Sequence, residues 1–197
     1  MSSGISFSST DTPPPLPIHR FTVDDYHRLG ELGLLTPDDR VELLEGWIVK
    51  KMNRRPVHGF VVRWMNDWLQ SNIRGGFLVQ CQLPITTQRS EPEPDLAVIR
   101  GAHSDFRDRH PSGTDCRLLI EVADTALTKD RARATIYASA GVEEYWIINL
   151  IDRQLERMTE PVDTAYNNCL IYSIDDEVEI RIGEHTIRLQ ISQILAT

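Results

Sequence analysis

The chain has 197 residues, 41% hydrophobic and 25% charged, with a formal net charge of −8 at pH 7. That length suits one domain with a sizeable core, and no run approaches the roughly 18 apolar residues of a membrane span. The acidic total argues against binding nucleic acid through overall charge, and Cys81, Cys116 and Cys169, without any CxxC spacing, read as reduced thiols of a cytoplasmic protein rather than a zinc cluster.

Residues 1–18 are rich in Ser, Thr and Pro and lack both a basic start and an apolar h-region, so they read as a disordered tail before one domain over 19–197. Thr22-Val23-Asp24-Asp25 is a capping arrangement that opens a short helix, with Tyr26, Leu29 and Leu32 or Leu34 on one side. Thr36 to Asp39 is a turn. Arg40 to Met52 reads as a hairpin of Val41–Leu44 and Trp47–Val49 turning at Glu45-Gly46. Pro56 starts a helix in which Phe60, Val61, Trp64, Trp68 and Leu69 recur at helical spacing, ended by Gly75-Gly76.

Phe77 to Ile85 follows as a strand broken by Pro84. Two short, almost wholly aliphatic strands come next, Pro94 to Ile99 and Leu118 to Ala123, separated by a polar loop with Arg107, Arg109 and His110. A helix is expected from about Asp130 to Ala140, stopped by Gly141, and then a strand from Val142 to Leu150. Short strands fill the rest: 154–158, 169–174, 178–182 and 185–189. The order predicts a mixed α/β domain with a helix-flanked central sheet and extra C-terminal strands.

Asp95 and Glu121 are the chemically informative residues. Aliphatic strands of this kind are buried on both faces, and a carboxylate placed there must be paired, protonated or bound to a cation. Two of them on neighbouring strand ends, with the main-chain carbonyl of Val122, would suit Mg2+ or Mn2+, which take oxygen ligands. A salt bridge from Asp95 to Arg100 or Arg117 is the alternative. Glu42 on the hairpin would assist; Glu93 is expected to point away from Asp95. Charge distribution fits the same centre: residues 50–133 carry 14 Lys and Arg against 10 Asp and Glu, while 1–49 and 134–197 are net acidic. Lys50, Lys51, Arg54, Arg55 and Arg63 are either solvated faces or a basic rim for a phosphate backbone. Trp64, Trp68, Tyr145 and Trp146 read as core.

Val41-Glu42-Leu43-Leu44-Glu45-Gly46, Pro94-Asp95-Leu96-Ala97-Val98, Leu119-Ile120-Glu121-Val122 and the block from Tyr137 to Trp146 together resemble the Uma-type family of the PD-(D/E)XK nuclease superfamily, over about residues 20 to 175. The resemblance implies a restriction-endonuclease-like α/β (α+β) fold that hydrolyses DNA phosphodiesters with a metal-activated water. It implies Asp95, Glu121, Glu42 and Arg133 as catalytic positions, and His58, Lys129 and Glu93 as neighbours of the metal or substrate. The superfamily lysine, displaced in this family to the following helix, falls here on Arg133; Lys129 is expected to reach the site only if the helix start is rearranged. Arg cannot act as a base but clamps phosphate. Two readings follow: a Mg2+- or Mn2+-dependent endonuclease acting on DNA, with a homodimer as a weaker expectation, or a nuclease-fold protein that binds nucleic acid or a protein without cutting.

Overall fold

The computed structural model describes residues 17–51, 54–125 and 127–195. The tail expected over 1–18 therefore lies outside the described residues as far as residue 16.

Helix α1 (Val23–Glu31) opens on a reciprocal cap, the Asp25 amide donating to Thr22 Oγ1 at 3.1 Å and the Thr22 amide to Asp25 Oδ2 at 3.0 Å. None of its residues is buried. Leu32 and Leu34, expected on an apolar side, are 65% exposed, because α1 is held by polar contacts and not by a core face. The hairpin forms as read, β1 (Val41–Leu44) against β2 (Trp47–Lys50). Glu45 and Gly46 have φ of 49° and 77°, the left-handed pair that a two-residue turn needs between twisted strands. Gly46 is also required by packing, since a Cβ there would meet Arg20 Cβ at 2.6 Å.

Helix α2 (Pro56–Asn72) starts with Pro56 in its first turn. Its buried stripe is His58, Val61, Val62, Met65 and Leu69, at i, i+3, i+4, i+7 and i+11 spacing. The stripe is rotated from the expected one. Trp64 and Trp68 flank it, only partly buried, and Phe60 is 42% exposed.

Six strands make the central sheet in the order β3-β4-β5-β6-β7-β8: Phe77–Cys81, Leu96–Arg100, Cys116–Ala123, Glu144–Asn149, Gln154–Val162 and Ala165–Tyr172. All neighbours are antiparallel except β5 and β6, which are parallel and joined through helix α3 (Leu127–Ser139), the crossover that parallel neighbours require. The strand expected to run to Ile85 ends at Cys81, where Gln82 turns the chain with φ 53°. The last hairpin, β9 (Glu177–Ile182) and β10 (His185–Gln190), is followed by a one-turn α4 (Ser192–Leu195) that the sequence pattern did not signal.

Alternation along the strands sorts two cores. Leu96, Val98, Leu118, Ile120, Val122, Trp146 and Ile148 meet α2 and the β9–β10 hairpin on one face. Ala97, Ile99, Leu119, Ala123, Tyr145 and Ile147 meet α3 on the other. Strands β4 to β6 are thus covered on both sides, which is why their sequences are aliphatic nearly throughout.

Candidate metal and phosphate site

Leu96 pairs with Ile120, so one further step of the antiparallel register sets Asp95 opposite Glu121. By the same alternation Asp95 shares the face of Ala97, and Glu121 that of Leu119: the face covered by α3. Topology therefore brings the two carboxylates together under the first turns of α3. Both are buried, 2% and 4% exposed. Asp95 Oδ2 accepts from His58 Nε2 at 3.0 Å and from the Val122 amide at 3.0 Å, while Oδ1 faces Arg54 at 3.3 Å and Gln82 Nε2 at 3.4 Å. Arg100 and Arg117, the alternative partners for Asp95, pair instead with Glu143 and Glu144.

Helix α3 begins at Leu127, three residues before the expected start. Lys129 is therefore inside the helix, one turn before Arg133 on the same side. Lys129, expected to reach the site only if the helix start were rearranged, does so because the helix starts earlier: its Nζ is 2.8 Å from Glu42 Oε1. Arg133, 6% exposed, bridges two carboxylates, donating through Nη1 to Glu121 and through Nη2 to Glu42. Glu42 is buried, so its strand turns the carboxylate inward to these two cations. Glu93 corrects an expectation. Residues two apart in an extended segment share a face, so Glu93 lies on the side of Asp95 and lines the same cleft, with Lys51 at 2.5 Å. Its amide lies 3.4 Å from Glu42 Oε2.

The sequence pattern did not single out Asp130 or Tyr137. Asp130, Arg133 and Tyr137 lie at i, i+3 and i+7 of α3 and are all buried, and that spacing is the signal that links them. The Tyr137 hydroxyl donates to Glu121 Oε1 at 2.9 Å, and Asp130 lines the cleft. Asp124, also in the cleft, is held by Arg55 at 3.1 Å. Most of the Tyr137–Trp146 block is scaffold for this floor. Tyr145 donates to the Asp130 carbonyl at 2.9 Å, its ring meets that of Tyr137 edge-on at 4.9 Å, and Trp146 Nε1 donates to Glu144 at 2.7 Å.

Electrostatics divide the carboxylates into two kinds. Burial pushes the Asp95 carboxyl up, but the hydrogen bond and charge of His58, the Val122 amide and Arg54 outweigh it and hold it below its usual range. Glu42 is likewise held low, against burial, by Arg133 and Lys129. Burial raises Glu121 to about 8, opposed by Arg133 and reinforced by Asp95 and Asp130. It raises Asp130 to about 6, again against Arg133. Arg133 itself is driven well above its ordinary value by Glu121 and Glu42, despite burial, so the guanidinium is the permanent charge and Glu121 the titrating member of the pair.

Among the described residues no three His, Cys, Asp or Glu side chains converge as a preformed metal cluster. The donor chemistry nevertheless fits a hard divalent cation. The side-chain donors are oxygens, both polar contacts of Glu121 fall on Oε1, and Asp95 Oδ1 has only the longer contacts to Arg54 and Gln82. The carboxyls of Glu121 and Asp130 are raised chiefly by burial, a penalty on the charged form that a bound cation would offset.

A family model described as "Putative restriction endonuclease", Uma2, matches residues 23–192. Among solved structures the fold is similar to that of a putative nuclease belonging to DUF820 from Anabaena variabilis. The TM-score is 0.70 at 15% identity, over 89% of this chain and 98% of that one. No curated protein matches the sequence. Among the described residues no helix is long and apolar enough to cross a membrane. The chain therefore belongs to the Uma2 family of putative restriction endonucleases, with the mixed α+β fold of a nuclease.

Proposed function

We propose that this protein is a Mg2+- or Mn2+-dependent endonuclease that hydrolyses DNA phosphodiester bonds. The observation that carries the reading is the convergence of Asp95 and Glu121, buried on adjacent strands, with Lys129 and Arg133 from one face of α3. Asp95 and Glu121, with the main-chain carbonyl of Val122, would hold the ion, which supplies Lewis-acid charge and lowers the pKa of water. His58 and the Val122 amide orient Asp95 by fixing Oδ2. Arg133 stays protonated and Lys129, whose side chain is 28% exposed, stands nearer solvent; both are suited to neutralise charge on a phosphate. Glu42 holds the two cations beside the carboxylates until substrate arrives.

A second reading, a nuclease fold that binds without cutting, is favoured by one observation: Arg133 engages Glu121 and Glu42 internally. Calorimetric titration of Mn2+ into wild type and into Asp95→Ala/Glu121→Ala, followed by plasmid nicking, separates the two. Binding and nicking by wild type alone support the nuclease. Mn2+ and DNA binding without nicking support the second reading. Wild-type nicking by the folded double variant would reject the site.

A further inference from the structure

A second cleft opens beside this site, between α1 with its following turn and the β1–β2 hairpin. Its volume is about 820 Å3, within the roughly 300–1,000 Å3 of ligand pockets. Lys51, Arg54 and Glu93 line both clefts, so the two adjoin. The sign of the wall is favourable to a phosphodiester strand. Among the described residues its lining carries Arg40, Lys51 and Arg54, with His27 and His110, against Glu31 and Glu93; Lys51 and Glu93 pair with each other, and Arg54 faces Asp95 at 3.3 Å.

His27 is set in place from behind. Its Nε2 lies 2.7 and 2.9 Å from the two oxygens of Glu91, a carboxylate only 6% exposed that also accepts from Thr86 Oγ1 at 2.9 Å. A buried carboxylate takes a proton donor there, so Nε2 carries hydrogen and the ring is fixed in rotation. The His27 side chain remains 45% exposed at the cleft, with the His110 ring edge-on at 6.4 Å. Helix α1 buries none of its residues, yet the His27–Glu91 pair and the Tyr26 hydroxyl on the Val41 carbonyl, at 3.2 Å, hold it against the body. A helix fixed by polar pegs with no core face of its own serves as a wall.

We propose that this cleft seats a nucleotide of the substrate strand next to the scissile phosphate, with His110 as a donor to its phosphate and Lys51 and Arg54 leading into the metal site. The proposal rests on the nuclease reading. It deepens it by giving the strand a path and a flanking subsite.

Gly30 provides the test. It lines the cleft, and a Cβ added there meets nothing within 4 Å, so a side chain enters the cleft without displacing the fold. A short fluorescein-labelled DNA duplex, with Ca2+ in place of Mg2+, is titrated with wild type, Gly30→Glu and Gly30→Arg, and polarisation is read. The acidic variant binds roughly fivefold more weakly and the basic variant roughly fivefold more tightly, the effect of one charge near a phosphate in water. Both variants melt no lower than wild type, since glycine disfavours a helix. Opposite signs cannot come from a structural role. Equal affinity of all three, with wild type nicking plasmid, would overturn the cleft and leave the nuclease standing. Wild type that neither nicks nor binds would overturn both.

Discussion

The guanidinium of Arg133 lies against the carboxylate of Glu121, a buried ion pair in which a helix residue meets a strand residue twelve positions earlier in the chain. The same guanidinium reaches Glu42 on the hairpin, so one side chain ties three elements together at the centre of the candidate site.

Removal of Arg133 leaves two buried carboxylates without their main cation. Arg133→Ala is expected to lose about 3–5 kcal/mol of unfolding free energy, and millimolar Mn2+ to return part of it by binding the folded state. Urea denaturation with and without Mn2+ measures both. A variant as stable as wild type and indifferent to Mn2+ would show that Glu121 and Glu42 do not depend on this cation.

Asp130 makes stability depend on pH in a definite direction. Burial raises its carboxyl from the ordinary 3.8 to about 6. Between those values the folded chain holds a proton that the unfolded chain has released. The contribution is complete below about 3.8 and is lost as pH rises through about 6. Wild type should therefore lose, relative to Asp130→Asn, on the order of 3 kcal/mol between acid and neutral pH. Parallel denaturation curves for the two proteins over pH 4–7 check this; identical pH profiles would contradict it.

Gly113 and Ala140 pack so closely that a Cβ on Gly113 would overlap both the carbonyl and the methyl of Ala140. The contact seats the end of α3 against the turn before β5. Gly113→Ala is expected to cost about 1–3 kcal/mol as an overpacked site, a fall of roughly 3–10 °C in Tm at this chain length. Calorimetry gives the value, and an unchanged melt would mean that the two segments separate freely.

The three cysteines are free and differ in access: Cys81 and Cys169 are exposed, and Cys116 is buried, its thiol pushed up to about 12, chiefly by burial. A thiol-reactive dye should label two groups in the native protein and the third only in denaturant. Rapid labelling of all three under native conditions would contradict the packing of β5.

Much of this architecture is legible in the chain. The hairpin follows from Glu45-Gly46, the cap of α1 from Thr22 and Asp25, and the start of α2 from Pro56, because each depends on a few residues adjacent in sequence. The burial of β4 and β5 follows from their aliphatic runs, and with it the demand that Asp95 and Glu121 have partners. Which partners they have was not legible. The pairing of His58 with Asp95, of Arg133 with Glu121 and Glu42, and of Lys129 with Glu42 joins residues 12 to 91 positions apart. Such contacts are set by strand register and by where a crossover helix lands, and no local pattern encodes either. The start of α3 shows the limit well: its weakly patterned first turn hid Lys129 from a reading by periodicity, and only its packing over β5 brings that lysine to the site. The sequence by itself determined the carboxylates and the need to neutralise them; the tertiary structure decided which cations do so, because burial of charge acts through space and not along the chain.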